Sequence, residues 1–456
     1  METYSRKTPV WNRFNQTQQK DCYKYAEEYK KFLDAARTER LANKEIIRQA
    51  KAAGYRPLSS FSELHAGDKV YLDHKGKAVI MAVIGRDDMR QGLKLIGSHI
   101  DSPRLDLKAN PLDEKDGLVF LRTHYYGGIK KYQWVCMPLA LVGVIAKTDG
   151  SLINVEMGLD AADPVLYITD ILPHLGQTQA QKKLNEAITG EMLLPVIGGH
   201  GEGKKSAKEM VLKIFGDKYG ITEEDFASAE LEVIPAQCAR DVGIDRAFVM
   251  AHGQDDRVCS YGNLAAILAA KPSTKTQVAL FTDKEEIGSY GNTGVNSSYV
   301  TDFIMDLLEL QGDGSHRALR DTLRHTEILS ADVTASFDPT FADVMEKNNS
   351  SLTGFGIVLT KYTGARGKSG SNDANAEFLG KVRGIFNEND VPWQIGELGK
   401  VDQGGGGTIA LYLAAWGCEV VDCGVTMLSM HAPLELVEKT DAYCAYLAYK
   451  AFFESN

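Results

Sequence analysis

Histidine and carboxylate side chains follow short apolar segments at several places along the chain. They are His99 with Asp101 in IGSHIDSP, Asp255 and Asp256 in GQDDRV, Glu285 and Glu286 in FTDKEEIGS, Asp332 in ILSADVTA, and His431 in LSMHAP. Imidazole and carboxylate groups are the ligands that zinc and related cations accept in catalytic sites. Two imidazoles and several carboxylates delivered in this way are typical of a pair of divalent cations that share one carboxylate. Such a pair activates water.

The elements that must position these residues are short apolar runs alternating with helical stretches. The predicted strands are residues 79–84, 93–96, 278–281, 328–329, 420–421 and 425–428. Helical periodicity marks 258–270 and 408–416 between them, and a long amphipathic helix over 16–53 precedes them. Strands that alternate with helices predict an α/β layered sheet. Because the candidate ligands come just past the apolar runs, we expect them in the crevice beyond the strand ends, where open α/β sheets bind ligands.

A block of different texture separates His99 from Asp255. Apolar and polar residues alternate in parts of it, and it contains none of the candidate ligands. We therefore predict a discontinuous catalytic domain over residues 1–109 and 247–456, interrupted by an inserted domain over residues 110–246. Inserted domains often serve assembly or substrate access.

Composition excludes several classes of protein. With 44% hydrophobic residues in 456, the chain can fill the cores of two or three domains, and no stretch approaches the roughly 18 apolar residues of a membrane span. The first residues lack the apolar core of a signal peptide, so we expect a soluble, cytoplasmic protein. The seven cysteines show no C-x-x-C spacing, which argues against disulfides and a thiolate zinc site. A net charge of -10 disfavours a nucleic-acid partner.

Each motif has a simpler interpretation when it is taken alone. A surface pair could account for His99 and Asp101, although alternation along an extended segment also lets the carboxylate orient the imidazole. A helix cap could account for Asp255 or Asp256. A core position could account for His431. These simpler interpretations do not explain why all the motifs occupy one kind of topological position.

The adjacent acids Glu285 and Glu286 are the most diagnostic pair. Two carboxylates at a strand end repel each other unless a cation or a shared proton offsets their charge. With a metal present, one carboxylate can be a ligand while the other, just outside the coordination shell, takes a proton from bound water.

Two glycine-rich segments are candidates for a different kind of site, one that binds phosphate or another anion. Residues 198–205 read GGHGEGKK, a near match to a phosphate-binding loop, but Lys205 stands where a Ser or Thr hydroxyl should hold magnesium. We expect a surface loop there. Residues 404–407 are four glycines before a predicted helix, which could cradle an anion or allow close approach of the backbone to a ligand. The sequence contains no G-x-S-x-G motif, which disfavours covalent catalysis by a serine nucleophile.

Five of these motifs, HIDSP, the DD pair, EEIGS, SAD and MHAP, together resemble those of the aspartyl aminopeptidase-type zinc metallopeptidases, which are co-catalytic di-metal aminopeptidases. The resemblance extends over nearly the whole chain in the same order. It implies a three-layer α/β catalytic domain with a central mixed sheet, interrupted by an inserted, mostly β dimerisation domain. It also implies a homo-oligomer, with dimers assembling into a tetrahedral dodecamer.

The resemblance also implies a role for each residue of the site. Asp255 would bridge two divalent ions per subunit, most simply zinc, with manganese or cobalt as alternatives. Glu285 would be the general base, and Asp101 would orient His99. The peptide between Asp255 and Asp256 would be cis. The remaining ligands would be His99 and Asp332 at one metal position, and Glu286 and His431 at the other.

Two further residues are assigned to substrate binding by the resemblance. His174, in LPHLGQ, is the nearest match to a histidine that reaches a neighbouring active site, although relatives carry a further histidine where this chain has Thr178. Lys361 would meet an acidic N-terminal residue of the substrate, and Arg366 and Lys368 are further cations in the same segment.

We therefore predict a metal-dependent aminopeptidase that removes unblocked N-terminal residues, possibly Asp or Glu, from peptides. The alternative within the same chemistry is a related co-catalytic hydrolase that acts as a carboxypeptidase or deacylase. A nucleotide-dependent protein that uses residues 198–206 and a non-catalytic zinc scaffold are the alternatives from other classes. The scaffold fits least well, because structural zinc sites prefer closed Cys/His shells.

Overall fold

A computed structural model describes residues 2–455. Its contacts divide the chain into two compact units. The first consists of the described residues up to Asp101, Ala239–Met430, and the residues from Glu435 onward, and the second of Ser102–Cys238 with His431–Leu434. The domain limits predicted from the sequence, with an insertion over 110–246, stay a prediction, as does the role of that insertion in dimerisation.

The α-helices of the described residues are short to medium in length. They are α1 (Val10–Arg13), α2 (Gln16–Ala35), α3 (Glu39–Ala52), α4 (Gln177–Ala180), α5 (Leu184–Ala187), α6 (Ala207–Tyr219), α7 (Gln254–Ala269), α8 (Tyr299–Leu310), α9 (His316–His325), α10 (Ala376–Glu388), α11 (Ala410–Ala414) and α12 (Lys439–Glu454).

The β-strands fall into three sheets. They are β1 (Arg56–Pro57), β2 (Lys69–His74), β3 (Ala78–Val83), β4 (Lys94–His99), β5 (Arg104–Lys115), β6 (Leu118–Tyr126), β7 (Pro138–Ala146), β8 (Leu152–Met157), β9 (Leu166–Tyr167), β10 (Val196–Gly198), β11 (Ala229–Pro235), β12 (Arg240–Val242), β13 (Phe248–Ala251), β14 (Gln277–Thr282), β15 (Glu327–Ser330), β16 (Thr334–Ala335), β17 (Ile357–Thr360), β18 (Trp393–Ile395), β19 (Glu419–Gly424), β20 (Thr426–Leu428) and β21 (Glu435–Glu438).

A nine-stranded mixed sheet in the order β1-β2-β3-β14-β4-β15-β19-β17-β18 forms the centre of the first unit. Strands β14, β4, β15 and β19 are parallel to one another, and Thr282 of β14 aligns with His99 of β4. Ser330 of β15 aligns with Gly97. Because parallel strands end at the same edge, the segments after these strands meet there. The predicted α/β class and all six predicted strands are confirmed.

Helices pack on both faces of this sheet because successive side chains of a strand point to opposite faces. Met81 belongs to one hydrophobic core, together with Tyr29 of α2 and Tyr449 of α12. Its neighbour Ile80 belongs to a second core with Phe303 of α8. All of these side chains are almost fully buried, and burial of each of the apolar ones, Met81, Ile80 and Phe303, stabilises the fold by about 1.5–3 kcal/mol.

A smaller sheet in the first unit has the order β12-β13-β21-β20-β16. In it, β13 and β21 are antiparallel, and Ala251 aligns with Glu435. This pairing brings the segment before α7 next to the start of β21, although the two are far apart in the sequence.

A seven-stranded sheet in the order β11-β5-β6-β10-β9-β7-β8 dominates the second unit. Trp134, Leu141 and Phe215 of α6 are among the buried residues of its core. At the start of α6 the hydroxyl of Ser206 accepts the backbone N–H of Glu209, whose carboxylate in turn accepts the N–H of Ser206. Together with the bond from the N–H of Lys208 to Oε2 of Glu114, these bonds occupy three N–H groups at the start of α6 that an anion would otherwise use, and the segment before it is exposed.

The prediction of one helix over residues 16–53 is wrong. The chain leaves the helical conformation at Ala36, and two helices form, α2 capped by Asn15 and α3 capped by Thr38. Both cap residues are polar side chains that accept helix N–H groups, and Thr38 restarts the helix after the break. The helix predicted over 408–416 is also shorter, since only α11 forms there.

No helix within residues 2–455 is long and apolar enough to cross a membrane.

Candidate metal centre

His99 is the last residue of β4, and its side chain is almost completely buried. Its Nδ1 lies 3.1 Å from the carbonyl oxygen and 3.3 Å from the carboxylate oxygen Oδ1 of Asp101. A carbonyl only accepts hydrogen bonds, so Nδ1 donates, and loss of the other ring proton leaves the lone pair on Nε2. Nε2 lies 3.2 Å from Oδ1 of Asp255 and forms no hydrogen bond with any described residue. A buried nitrogen lone pair that faces a carboxylate suits a bound cation.

Four carboxylates surround this nitrogen. Each residue of a first group offers one potential ligand atom, and these atoms lie within 4.8 Å of one another. The group consists of His99, Glu285 and Asp332. The same holds for His99, Asp255 and Glu286. The structure thus brings together five of the residues that the sequence nominated. Asp256, the alternative to Asp255 as the shared ligand, is in neither group.

The Asp255–Asp256 peptide bond is cis, as predicted. The backbone N–H of Asp255 donates to Oε2 of Glu435 over 2.9 Å, and both residues are buried. Asp256 turns the other way, and its Oδ2 accepts the backbone N–H of His99 over 3.3 Å. No side chain caps the start of α7. Neither acid occupies the N-cap position of α7, which is Gly253, and both depart from helical backbone angles in its first turn.

Glu285 and Glu286 lie on a single 3₁₀ turn, Glu285–Ile287, that follows β14. The backbone N–H of Glu285 donates to Oδ1 of Asp101 over 3.1 Å, and that of Glu286 donates to Oδ2 over 3.2 Å. Asp101 therefore contacts both His99 and the turn that carries the two acids. The sequence motif indicated only the first of these contacts.

Asp332 follows β15 at the same edge of the sheet. Its backbone packs so closely against β19 that a Cβ on Gly424 would lie 1.7 Å from the carbonyl oxygen of Asp332. Only glycine fits at this position, because any other residue would displace the segment that carries Asp332.

The electrostatics of the cluster are those of crowded acids around one imidazole. Burial alone would lower the pKa of His99, but Asp101 and Asp255 raise it well above its usual value. Burial raises the pKa of Asp332 well above its usual value, and the carboxylates of Asp256 and Glu285 raise it further. Divalent cations would offset this crowding of negative charge, which is the physical reason that such clusters hold metals.

His431 belongs to the second compact unit and adopts a left-handed backbone conformation with φ 63°. Its Nδ1 lies 2.8 Å from the carbonyl oxygen of Gly128, so Nδ1 donates and Nε2 carries the lone pair. A Cβ on Gly128 would lie 3.3 Å from Nδ1. His431 is not a member of either group of ligand atoms described above. Its role as a metal ligand stays a prediction.

The two residues predicted to bind substrate are both accessible. His174 is an exposed residue of the second unit, on the 3₁₀ turn Pro173–Leu175. Lys361 follows β17, and its ammonium group pairs with the carboxylate of Asp373. Lys368 pairs with the other oxygen of the same carboxylate over 2.9 Å. These contacts do not test whether His174 or Lys361 binds substrate, so both roles stay predictions.

The glycines of residues 404–407 pack against other loops of the protein. The N–H of Gly364 donates to the carbonyl oxygen of Gly406 over 2.6 Å. A Cβ on Gly405 would lie 2.3 Å from the carbonyl oxygen of Gly364, and one on Gly404 would lie 1.8 Å from that of Leu398. The glycines therefore permit close approach of two backbones. The sequence pattern alone could not distinguish close approach of the backbone from anion binding.

Sequence reasoning missed two residues at this site. Glu435 holds the backbone of Asp255. A signal existed, because an acid flanked by Leu434 and Leu436 shortly after the MHAP motif requires a buried partner. Tyr412 donates its hydroxyl to the carbonyl oxygen of Gly288. Burial, the neighbouring Tyr290 and the carboxylate of Glu285 raise the pKa of Tyr412.

Known proteins resemble this chain over its whole length. The family described as Aminopeptidase I zinc metalloprotease (M18) matches residues 32–453. A protein of Clostridium acetobutylicum described as a probable M18 family aminopeptidase 1 is 48% identical over 454 residues, which are 98% of each chain. The crystal structure of an M18 aminopeptidase from Thermotoga maritima has a TM-score of 0.95 at 43% identity and covers 99% of this chain and 100% of that one. Aminopeptidase I from C. acetobutylicum has a TM-score of 0.91 at 45% identity, with coverage of 98% and 99%.

The protein is therefore a zinc-dependent metalloaminopeptidase, a hydrolase that acts on chain ends. The chain belongs to the M18 family of aminopeptidase I zinc metalloproteases. The resemblance noted in the sequence motifs is confirmed.

Proposed function

We propose that this metalloaminopeptidase removes unblocked N-terminal residues from peptides, with water as the nucleophile and Glu285 as the general base. The observation that carries the proposal is the buried Nε2 of His99, which makes no hydrogen bond with a described residue and faces the carboxylates of Asp255, Glu285, Glu286 and Asp332. The donor set fits zinc, which accepts nitrogen and oxygen ligands and keeps an open position in catalytic sites.

Two ions per subunit fit this arrangement better than one. The two groups of ligand atoms share His99 but bring different carboxylates, Glu285 and Asp332 to one and Asp255 and Glu286 to the other. We propose that Asp255 is shared between the ions, that Asp332 and His99 complete one position, and that Glu286 and His431 complete the other. Manganese or cobalt could replace zinc, because carboxylate-rich sites also accept these ions.

The residues of the chain then have distinct tasks. Bound divalent cations polarise a carbonyl group and lower the pKa of water. Glu285, whose side chain retains some exposure to solvent, takes a proton from the attacking water and returns it to the leaving amine. Asp101 keeps His99 in the required tautomer and holds the N–H groups of the turn that carries Glu285.

We propose a preference for acidic N-terminal residues as the substrate class. A cavity of about 410 Å³ is lined by Arg366, Lys368 and Lys400 against a single acid, Glu397. Lys361 lies next to this segment, and Asp373 partly offsets the charges of both Lys361 and Lys368. A cavity wall with more cations than acids favours a carboxylate over an apolar or basic side chain.

We further propose that the chain is a homo-oligomer, with dimers that assemble into a tetrahedral dodecamer. The second unit exposes apolar side chains over one stretch of sequence, which favours burial against another copy. These are Val165, Tyr167, Ile171, Leu172, Leu175, Leu184 and Met192. A yeast aminopeptidase that shares 20% identity with this chain is described as a dodecamer. His174 lies within the same exposed stretch, where it would contact a neighbouring subunit.

The test is a substrate assay on the purified chain. N-terminally free peptides should lose their first residue, blocked peptides should resist, and a chelator should abolish the release. Release of C-terminal residues, or hydrolysis of N-acyl groups, would instead identify the related carboxypeptidase or deacylase. Activity that resists chelation would contradict the proposed role of the metal.

A further inference from the structure

The turn that carries Glu285 and Glu286 has an unusual backbone. Lys284 before it has φ 68°, and Gly288 and Ser289 after it have φ 92° and 62°. A left-handed conformation at a residue other than glycine costs on the order of 1–3 kcal/mol and persists only where surrounding contacts impose it. The contacts that impose it here decide where the two carboxylates are held.

The N-terminal side of the turn is held by Asp101. Its two carboxylate oxygens accept the N–H groups of Glu285 and Glu286, and Asp101 itself is completely buried. Hydrogen bonds to an ionised acceptor are stronger than those between neutral groups. These two bonds fix the beginning of the turn.

The C-terminal side of the turn is held by the backbone N–H of Ser289, which donates to the carbonyl oxygen of Lys284 over 2.7 Å, and by Tyr412. Its hydroxyl donates to the carbonyl oxygen of Gly288 over 2.8 Å, across 124 positions of sequence. The ring of Tyr412 also packs edge-on against Tyr290, with centroids 6.0 Å apart. The next residue on α11, Leu413, is fully buried in the core, so packing anchors the helix that carries Tyr412.

We propose that Tyr412 is a positioning residue, whose hydroxyl holds Gly288 and thereby keeps Glu285 and Glu286 at the edge of the sheet. Tyr412 makes and breaks no bond in the reaction. Its effect on turnover rests on the proposed function, because it depends on Glu285 acting as the base. Its effect on the turn itself does not depend on catalysis.

The test replaces only the hydroxyl, in Tyr412→Phe, and retains the ring. Backbone amide hydrogen exchange over residues 284–291 should become faster. The kcat should fall about tenfold, the factor expected from losing one hydrogen bond of about 1.4 kcal/mol. The KM should stay within about twofold, and the metal content should not change.

The matched control is Tyr55→Phe. Tyr55 also donates its hydroxyl to a backbone carbonyl of the first unit, that of Ile267, over 3.2 Å. This variant should leave both the exchange of residues 284–291 and the kcat at their wild-type values.

Tyr412→Phe with wild-type exchange in residues 284–291 would overturn the inference. An increase in KM with unchanged kcat would also overturn it, because Tyr412 would then bind substrate rather than position the turn. If the wild-type chain shows no aminopeptidase activity, the proposed function fails, whereas the exchange measurement still decides the role of Tyr412.

Discussion

The carboxylate of Glu435 accepts the backbone N–H of Asp255 over 2.9 Å, in a buried contact that spans 180 positions of sequence. Asp255 is the residue proposed to be shared between two metal ions, and its side chain faces His99. Glu435 lies at the start of β21, which the small five-stranded sheet places beside β13. The small sheet is therefore part of the support for the metal centre.

Glu435→Ala should weaken metal binding about 10- to 100-fold, because support groups behind a ligand typically contribute this much to affinity. Glu435→Gln keeps an oxygen that can accept the N–H of Asp255 and is the matched control. Competition with a chelator of known affinity measures the difference. Equal metal affinity in the Ala and Gln variants would show that this hydrogen bond does not support the site.

Asp422 provides a prediction for pH dependence. Burial raises its pKa from 3.8 to about 6, although Thr408, whose hydroxyl donates to Oδ1, acts in the opposite direction. Between these two values the folded chain keeps a proton that the unfolded chain has lost. The stability contributed by Asp422 is therefore fully present below pH 3.8 and is lost as the pH rises through about 6.

The Asp422→Asn variant cannot lose this proton and still accepts from Thr408. Relative to the wild type, its free energy of unfolding should rise by on the order of 3 kcal/mol as the pH increases from about 4 to 7. Urea unfolding of both chains across this range measures the difference. Parallel pH profiles would show that Asp422 does not titrate differently in the two states.

Much of the site could be predicted because it depends on local pattern. His99 and Asp332 follow apolar runs, and parallel strands bring such run ends to one edge without any knowledge of tertiary contacts. The adjacent acids Glu285 and Glu286 were informative because two neighbouring carboxylates require an external explanation.

The sequence did not indicate the contacts between distant segments. The bond from Tyr412 to Gly288 joins residues 124 positions apart, and no periodicity encodes such a pairing. The break between α2 and α3 was missed for a different reason. The apolar positions continue in helical spacing through Ala36, so the cap at Thr38 was the only local sign that the helix restarts.

A variant of Lys361 tests the proposed preference for acidic N-terminal residues. Lys361→Ala should lower kcat/KM for substrates with N-terminal Asp or Glu about tenfold relative to N-terminal Leu, because one cation facing the substrate carboxylate is removed. Lys381→Ala is the control, since Lys381 pairs with Glu327 and lies outside the segment 361–368 that borders the cavity. A panel of aminoacyl chromogenic substrates measures the ratio. A wild-type preference for Leu or Lys over the acidic residues would contradict the proposed class.

Glu285 is proposed to act as the general base, whereas Asp255 is proposed to bind the metal ions. The most direct measurement determines metal content and turnover on the same purified samples of wild type, Glu285→Gln and Asp255→Asn. We expect about two metal ions per wild-type chain. Glu285→Gln should retain them with turnover reduced about 10²- to 10⁴-fold, whereas Asp255→Asn should lose metal as well as activity. Near-wild-type turnover in Glu285→Gln would contradict the account.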